Sequence, residues 1–176
     1  MKPEALLGLG SNLGDRLRNL RSGIAFLEAG GAVDSVRYSS LYASEPVECE
    51  GGEFLNAVVA VRALVSAKEL LEAAGRAERN AGRTGTGGDA RPLDVDILYY
   101  GDLVVREQGL TLPHPGRLER AFVLVPLGEV CGEVIDPETG RLIHQEVSRR
   151  AEKVGPPLRL VMGSQWLKGC RSGGVR

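Results

Sequence analysis

Twice along the chain a run of strand character leads into a helix with a single apolar stripe and then into another strand. This tandem β-α-β order limits the fold more than any other feature. In the first unit, Ala5 to Leu9 reads as a short buried strand and Gly10-Ser11-Asn12 as a turn, after which Leu13, Leu17, Leu20, Ile24 and Leu27 recur at helical spacing. Gly30-Gly31 ends that helix. Val33 to Ala43, with Val36, Tyr38 and Tyr42 alternating against polar neighbours, predicts one further strand, broken by Glu45-Pro46. The second unit opens on Phe54 to Val61, rich enough in valine for a central strand. Ser66 and Glu69 then form a capping box, starting a helix whose stripe is Leu70, Leu71, Ala74 and Ala77 and which stops near Gly82. A strand from Pro92 through Tyr100 closes the unit. One-faced helices must lie on a sheet, so the expected class is α+β: a ferredoxin-like split β-α-β sheet with helices packed on its faces.

The last third is expected to add a further layer, with short strands near Leu103 to Val105 and a helical Leu118 to Val130. At 176 residues and 43% apolar content, a single domain over 1–160 is expected, followed by a frayed basic tail over 161–176. Arg83 to Ala90 holds three glycines and no large apolar group, the composition of a mobile loop. The net charge of -1 gives the surface no general attraction for nucleic acid or an anionic membrane, so any anion site must be local. Aromatic residues make up only 5%, too few for a base-stacking platform, which argues against an RNA-binding module. The charged start and the apolar run ending at Gly8 suit neither a signal peptide nor a bilayer span, so a soluble, cytoplasmic protein is expected. A monomer is the expected assembly, although no motif in the chain sets it. Cys49, Cys131 and Cys170 fit neither a disulfide framework nor a zinc-ligand spacing and read as reduced thiols.

Chemistry concentrates in Leu93-Asp94-Val95-Asp96-Ile97-Leu98. Strand alternation sends Leu93, Val95 and Ile97 to the core and both aspartates to the opposite face, with Cβ atoms about 7 Å apart. Two carboxylates at that spacing repel by roughly 2 kcal/mol at an effective dielectric of about 20, so a cation is expected there. Mg²⁺ suits the pair, because it binds through one or two carboxylates and completes its octahedron with water and phosphate oxygens. Two such ions could share it. An isolated Asp-x-Asp is more often a solvated strand face, and flanking residues decide between the two readings.

Arg83 and Arg91 bracket the Gly-rich segment just before this strand, and their planar donor forks suit polyphosphate. Downstream, Pro113 and Pro115 hold His114 in rigid backbone, with Arg120 and Phe122 close behind, whereas His144 reads as a surface residue on a helix. Taken alone, His114 also fits an idle loop histidine, and Phe54 and Phe122 fit ordinary core packing. Asn56, opening a valine-rich strand, is a buried amide in need of partners. The Gly8-x-Gly10-x-x-x-Gly14 pattern departs from the dinucleotide fingerprint, and the chain has no P-loop.

Five segments occur in the order of one family: Gly10-Ser11-Asn12-Leu13-Gly14, Ser40-Leu41-Tyr42-x-Ser44-x-Pro46, Phe54-Leu55-Asn56, Arg91-x-Leu93-Asp94-Val95-Asp96-Ile97-Leu98 and Leu112-Pro113-His114. Over roughly 6–130 the chain resembles the 6-hydroxymethyl-dihydropterin pyrophosphokinases of folate synthesis. The resemblance implies transfer of pyrophosphate from ATP, as co-substrate, to the pterin, with release of AMP. It implies Asp94 and Asp96 on two Mg²⁺ ions and Arg83 and Arg91 on the phosphates, these four forming the catalytic set. It further implies Glu78, His114 and Arg120 along the nucleotide channel and main-chain contacts to adenine at Ile97 and Thr111. The pterin would stack between Phe54 and Phe122, be read by Asn56, and meet main-chain groups at Ser44 and Val47. The chain departs from the family at Gly88-Asp89-Ala90, where Trp-Gly-Pro is usual, at Gly109, where some members carry arginine, and at Ser44-Glu45 in place of threonine-proline. A nucleotidyl or single-phosphoryl transferase would use the same metal site, and the nucleotide product separates these chemistries.

Overall fold

A computed structural model describes residues 2–46, 51–84, 90–150, 154 and 158–167. Strands β1 (Glu4–Ser11), β2 (Val33–Tyr38), β3 (Leu41–Ser44), β4 (Phe54–Ala63), β5 (Asp94–Tyr100) and β8 (Arg159–Met162) form one antiparallel sheet in the order β5-β1-β4-β3-β8. The ten-residue β4 is long enough for two partners, β3 along its first half and β2 along its second. A small hairpin of β6 (Val105–Glu107) and β7 (Leu110–Leu112) stands apart from the sheet.

Both faces of the sheet are covered. Helices α1 (Arg16–Ala29) and α2 (Ala67–Asn80) pack on one face, where Leu20, Ile24, Leu27, Leu70, Ala74 and Ala77 meet Leu7, Leu9, Val59, Val95 and Ile97. The other face carries α3 (Ala121–Val130) and α4 (Ile143–Arg150), with Leu124, Leu127 and Ile143 against Leu6, Val58 and Leu98. The capping box at Ser66 and Glu69 forms as expected, and Asp15 caps α1 by accepting the Arg18 N–H. Among the described residues no helix is long and apolar enough to cross a membrane, and Cys131 is a free, buried thiol. Cys49, Cys170 and most of the Gly-rich segment expected to be mobile lie outside the described residues.

Several expectations need correction. Leu13 precedes the helix and is largely exposed, because Asp15 starts α1 later than the apolar spacing suggests. The single strand expected over 33–43 is two strands with a corner at Ser39-Ser40. Ser39 turns inward there, its hydroxyl accepting the Val58 N–H, while its carbonyl accepts the Trp166 indole N–H at 2.8 Å. The helix expected from Leu118 is a 3-10 turn over Pro115–Leu118 followed by α3. The frayed tail does not begin at 161: Val161 and Met162 belong to β8, and Trp166 is completely buried against the first core.

Asp94 and Asp96 share the face opposite Leu93, Val95 and Ile97, as alternation requires. The alternation then fails. Leu7 pairs with Ile97 but Leu6 with Tyr99, so Leu98 is the extra residue of a β-bulge, and Leu98 and Tyr99 both join the second core.

Candidate active site

The site lies on the α3 face of the sheet, where three adjacent strands present different chemistry. Central β1 contributes Gly8 and Gly10. In register, Gly8 faces Val58 on β4 and Asp96 on β5, and Gly10 faces Asn56 and Asp94. A Cβ at Gly10 would meet Phe54, Asn56 and the Asp94 Cβ at 3.5–3.7 Å. The two glycines thus form a bare floor between an amide and two carboxylates, the close backbone approach that glycine in a strand allows. These glycines fail the dinucleotide pattern, yet alternate glycines in an otherwise apolar strand are the sequence signal of this kind of floor.

Above the floor is a cavity of about 230 Å³, lined among others by Ser44, Phe54, Asn56, Asp94, Asp96, Arg91, Arg120 and Phe122. Asn56 is buried and its amide donates to the Ser44 hydroxyl at 2.9 Å and to the Tyr42 carbonyl at 3.4 Å, which fixes its orientation. The Tyr42 phenol donates to Glu129 on α3 at 2.6 Å, and burial with that carboxylate pushes its pKa up to about 12. Two guanidinium groups stand over the aromatic rings, Arg91 at 5.7 Å from Phe54 and Arg120 at 5.8 Å from Phe122.

A second cavity of about 330 Å³ opens on the other side of Asp96, lined by Leu71, Val95, Ile97, Gly109, Leu110, Thr111, His114 and Pro115. Asp96 lines both cavities. His114 is held on three sides. Its N–H donates to the Leu98 carbonyl at 2.9 Å, its Nδ1 accepts the Gly116 N–H at 3.1 Å, and its Nε2 faces Asp96 at 4.0 Å. Acceptance at Nδ1 puts the proton of the neutral ring on Nε2, so His114 offers a donor toward the aspartates.

Asp94 pairs with Arg83 at 2.8 Å and stands 3.6 Å from Arg91, and the same Arg83 nitrogen lies 2.9 Å from Glu78. Glu78 also accepts the Val95 N–H at 2.9 Å, yet burial, reinforced by the two aspartates, holds its pKa above the usual range. The Asp96 carboxyl is raised as well, first by burial and then by Asp94, with His114, Arg120 and Arg91 opposing. Although 45% of the Asp96 side chain is open to solvent, it stands in a concave wall with protein on most sides. The Nε of Arg91 is buried without a hydrogen-bond partner among the described residues, a donor left over for something else.

The donor set fits a hard divalent cation: two carboxylates on alternate residues over an open glycine floor. Among the described residues no three His, Cys, Asp or Glu side chains gather as a metal cluster. Water and a polyphosphate would therefore supply the remaining ligands, as is usual for Mg²⁺. Of the residues singled out in the sequence, Val47 lies outside the described residues, and all the others border one of the two cavities or, as Arg83 and Glu78 do, pair behind Asp94.

The family model for 7,8-dihydro-6-hydroxymethylpterin-pyrophosphokinase matches residues 6–132. The chain is 38% identical over 144 residues to the 2-amino-4-hydroxy-6-hydroxymethyldihydropteridine pyrophosphokinase of Bacillus subtilis, covering 81% of this chain and 86% of that protein. A Synechocystis protein of the same name is 36% identical over 146 residues, covering 82% and 75%. The mitochondrial folate synthesis bifunctional protein of Pisum sativum is 39% identical over 138 residues, covering 77% of this chain but only 27% of its own length. Among solved structures, Plasmodium falciparum HPPK-DHPS with pteroate superposes with a TM-score of 0.69 at 12% identity, over 85% of this chain and 44% of that one, a likeness of fold alone. The chain spans about a quarter of the pea protein and less than half of the Plasmodium one. With 127 of its 176 residues inside the family model, the chain belongs to the 7,8-dihydro-6-hydroxymethylpterin-pyrophosphokinase family.

Proposed function

We propose that this chain transfers the pyrophosphoryl group of ATP to 6-hydroxymethyl-7,8-dihydropterin, releasing AMP, as a Mg²⁺-dependent step of folate biosynthesis. The observation that carries the reading is the shared position of Asp96, which borders an aromatic, amide-lined cavity on one side and a more apolar one on the other. The first has the size and polar edge for a flat heterocycle, and the second suits adenine.

In this reading the pterin stacks between Phe54 and Phe122 while Asn56 and the backbone at Ser44 and Val47 read its edge. Adenine meets main-chain groups at Ile97 and Thr111, with Glu78 near the nucleotide. Asp94 and Asp96 hold two Mg²⁺ ions, which when bound neutralise the triphosphate oxygens and draw electron density from the β-phosphorus. The pterin hydroxymethyl oxygen attacks that phosphorus, its bond to the α,β-bridging oxygen breaks, AMP departs with the electron pair, and the hydroxyl proton is released to solvent. Arg83 exchanges its pairing with Asp94 for phosphate oxygens, the unpaired Arg91 donor finds its partner there, and Arg120 and the His114 Nε2–H complete the cradle. Most of the rate gain then comes from alignment and charge neutralisation.

The fold assignment that accompanies this reading is the ferredoxin-like split β-α-β class, supported by the order β5-β1-β4 with β2 and β3 outside. The reading extends to a cytoplasmic monomer whose catalytic domain reaches past 160 to include β8 and Trp166, supported by the pairing of β8 with β3 and by cores that close around one sheet. Chromatography of the nucleotides after incubation with ATP, Mg²⁺ and the hydroxymethyl-pterin tests the chemistry. AMP and a diphosphorylated pterin are expected, whereas ADP or free pyrophosphate as product excludes the reading.

A further inference from the structure

Behind the second cavity lies a buried ionic network that the transfer reaction does not use. Asp136 is completely buried and Arg117 nearly so. The Arg117 Nε donates to Asp136 at 2.9 Å and to the Tyr99 hydroxyl at 3.0 Å, and that hydroxyl itself donates to Asp136 at 2.7 Å. A second arm reaches Glu138 at 2.6 Å, and the third donates to the carbonyl of His114 at 3.2 Å. Glu138 also binds Arg106 on β6, and Arg106 pairs across the hairpin with Thr111. Asp136 keeps its other oxygen for the Glu138 and Thr139 N–H groups, at 2.8 and 3.1 Å.

Two features argue against a purely stabilising role. A buried ion pair is a weak source of net stability, because desolvation offsets its attraction, and apolar residues of similar volume serve as well or better. The arrangement also has a direction. All three arms of the guanidinium are committed, and the arm not spent on a carboxylate holds the backbone of the residue that faces Asp96. The β-bulge at Leu98 makes this possible, since it turns Tyr99 to the α3 face while the preceding Leu98 carbonyl binds the His114 N–H.

We propose that Arg117, Asp136, Tyr99 and Glu138 are positioning residues for the nucleotide half of the site, setting where His114 and the β6–β7 hairpin stand relative to Asp96. The inference rests on the function proposed above for the identity of the nucleotide. The network touches the wall of the second cavity through His114 and Thr111, and among the described residues none of its hydrogen bonds or ion pairs goes to Asn56, Ser44 or Phe54. Its approach to the first cavity is the apolar packing that Tyr99 and Phe122 share. Its loss should therefore weaken ATP while sparing the pterin. A planar fork with three separate arms cannot be replaced by the single ammonium of lysine, so charge alone does not restore it.

The test compares wild type, Arg117→Lys and Glu138→Gln by calorimetry, using an ATP analogue with a methylene between the α and β phosphorus atoms, and separately the hydroxymethyl-pterin. Both are followed by steady-state AMP release. Arg117→Lys should weaken the analogue about tenfold and raise the KM for ATP to match, with pterin affinity unchanged within twofold. Glu138→Gln removes the charge that Arg117 and Arg106 share, leaves Asp136 and Tyr99 in place and keeps the side-chain shape in a partly exposed position. It should weaken the analogue about threefold, a readout that stands even if Arg117→Lys does not fold. Equal weakening of both ligands, or a lowered Tm with analogue affinity unchanged, overturns the proposal. Wild-type AMP release in the same assay tests the function itself, and the analogue measurement does not depend on turnover.

Discussion

Replacing Asp96 with Asn should raise the stability of the metal-free protein and abolish its response to Mg²⁺ and ATP. The two aspartates sit on alternate residues of β5, about 7 Å apart, where like charges repel by about 2.4 kcal/mol at an effective dielectric of about 20. Solvent reaches 45% of the Asp96 side chain, and His114, Arg120 and Arg91 attract the same carboxylate. The net relief is therefore smaller, about 1 kcal/mol, or some 2–4 °C in Tm for a domain of this size. Its pH dependence has a definite sign. The folded-state pKa of Asp96 is raised above the ordinary 3.8, so the penalty is absent below that value and appears as pH climbs through the raised pKa. The advantage of Asn opens over that window and is complete at neutral pH. At a Mg·ATP concentration about 100 times its Kd, wild type gains about 2.7 kcal/mol and the variant does not, so the order of the two Tm values inverts. Scanning calorimetry from pH 4 to 8, with and without Mg·ATP, measures both halves. A variant less stable than wild type without metal, or one that keeps the ligand-induced gain, refutes the placement of the cation at these carboxylates.

Two other substitutions probe different links. Gly10→Ala introduces a methyl that meets its neighbours at ordinary contact distances, so stability should change by no more than about 0.5 kcal/mol. That methyl nevertheless rises from the cavity floor and should weaken pterin binding about tenfold by calorimetry, and unaltered affinity would mean that the ligand never approaches β1. Trp166→Ala removes a fully buried indole and its hydrogen bond to Ser39, which should cost about 3–5 kcal/mol in urea unfolding. A loss below about 1 kcal/mol would mark residues 164–167 as peripheral.

What the sequence discloses divides according to whether the cause is local. The capping box at Ser66, the helical stripe from Leu70 to Ala77 and the alternation from Leu93 to Ile97 each depend on near neighbours, and each is found where its pattern puts it. The corner at Ser39 depends on Trp166, 127 residues away, and local alternation runs straight through it. The bulge at Leu98 depends on how β5 pairs with β1, which no period within β5 encodes. Arg117 and Asp136 are 19 residues apart with no motif between them, so a buried arginine reads as one more surface charge. The site itself was more legible than the fold around it. Asp94, Asp96, Asn56 and His114 stand out as residue types at odds with their surroundings, whereas Gly8 and Gly10 matter for what they lack.

Asp96 is a partition with one chamber on either side. Whatever enters the first chamber alters the field and hydration that a guest in the second must accept, through one carboxylate common to both. Thermodynamics requires such an influence to be mutual, so the factor by which nucleotide changes pterin affinity must equal the factor by which pterin changes nucleotide affinity. The ratio of those two factors, closed around a four-state binding square, is therefore fixed at unity, and the partition sets how far each factor departs from one.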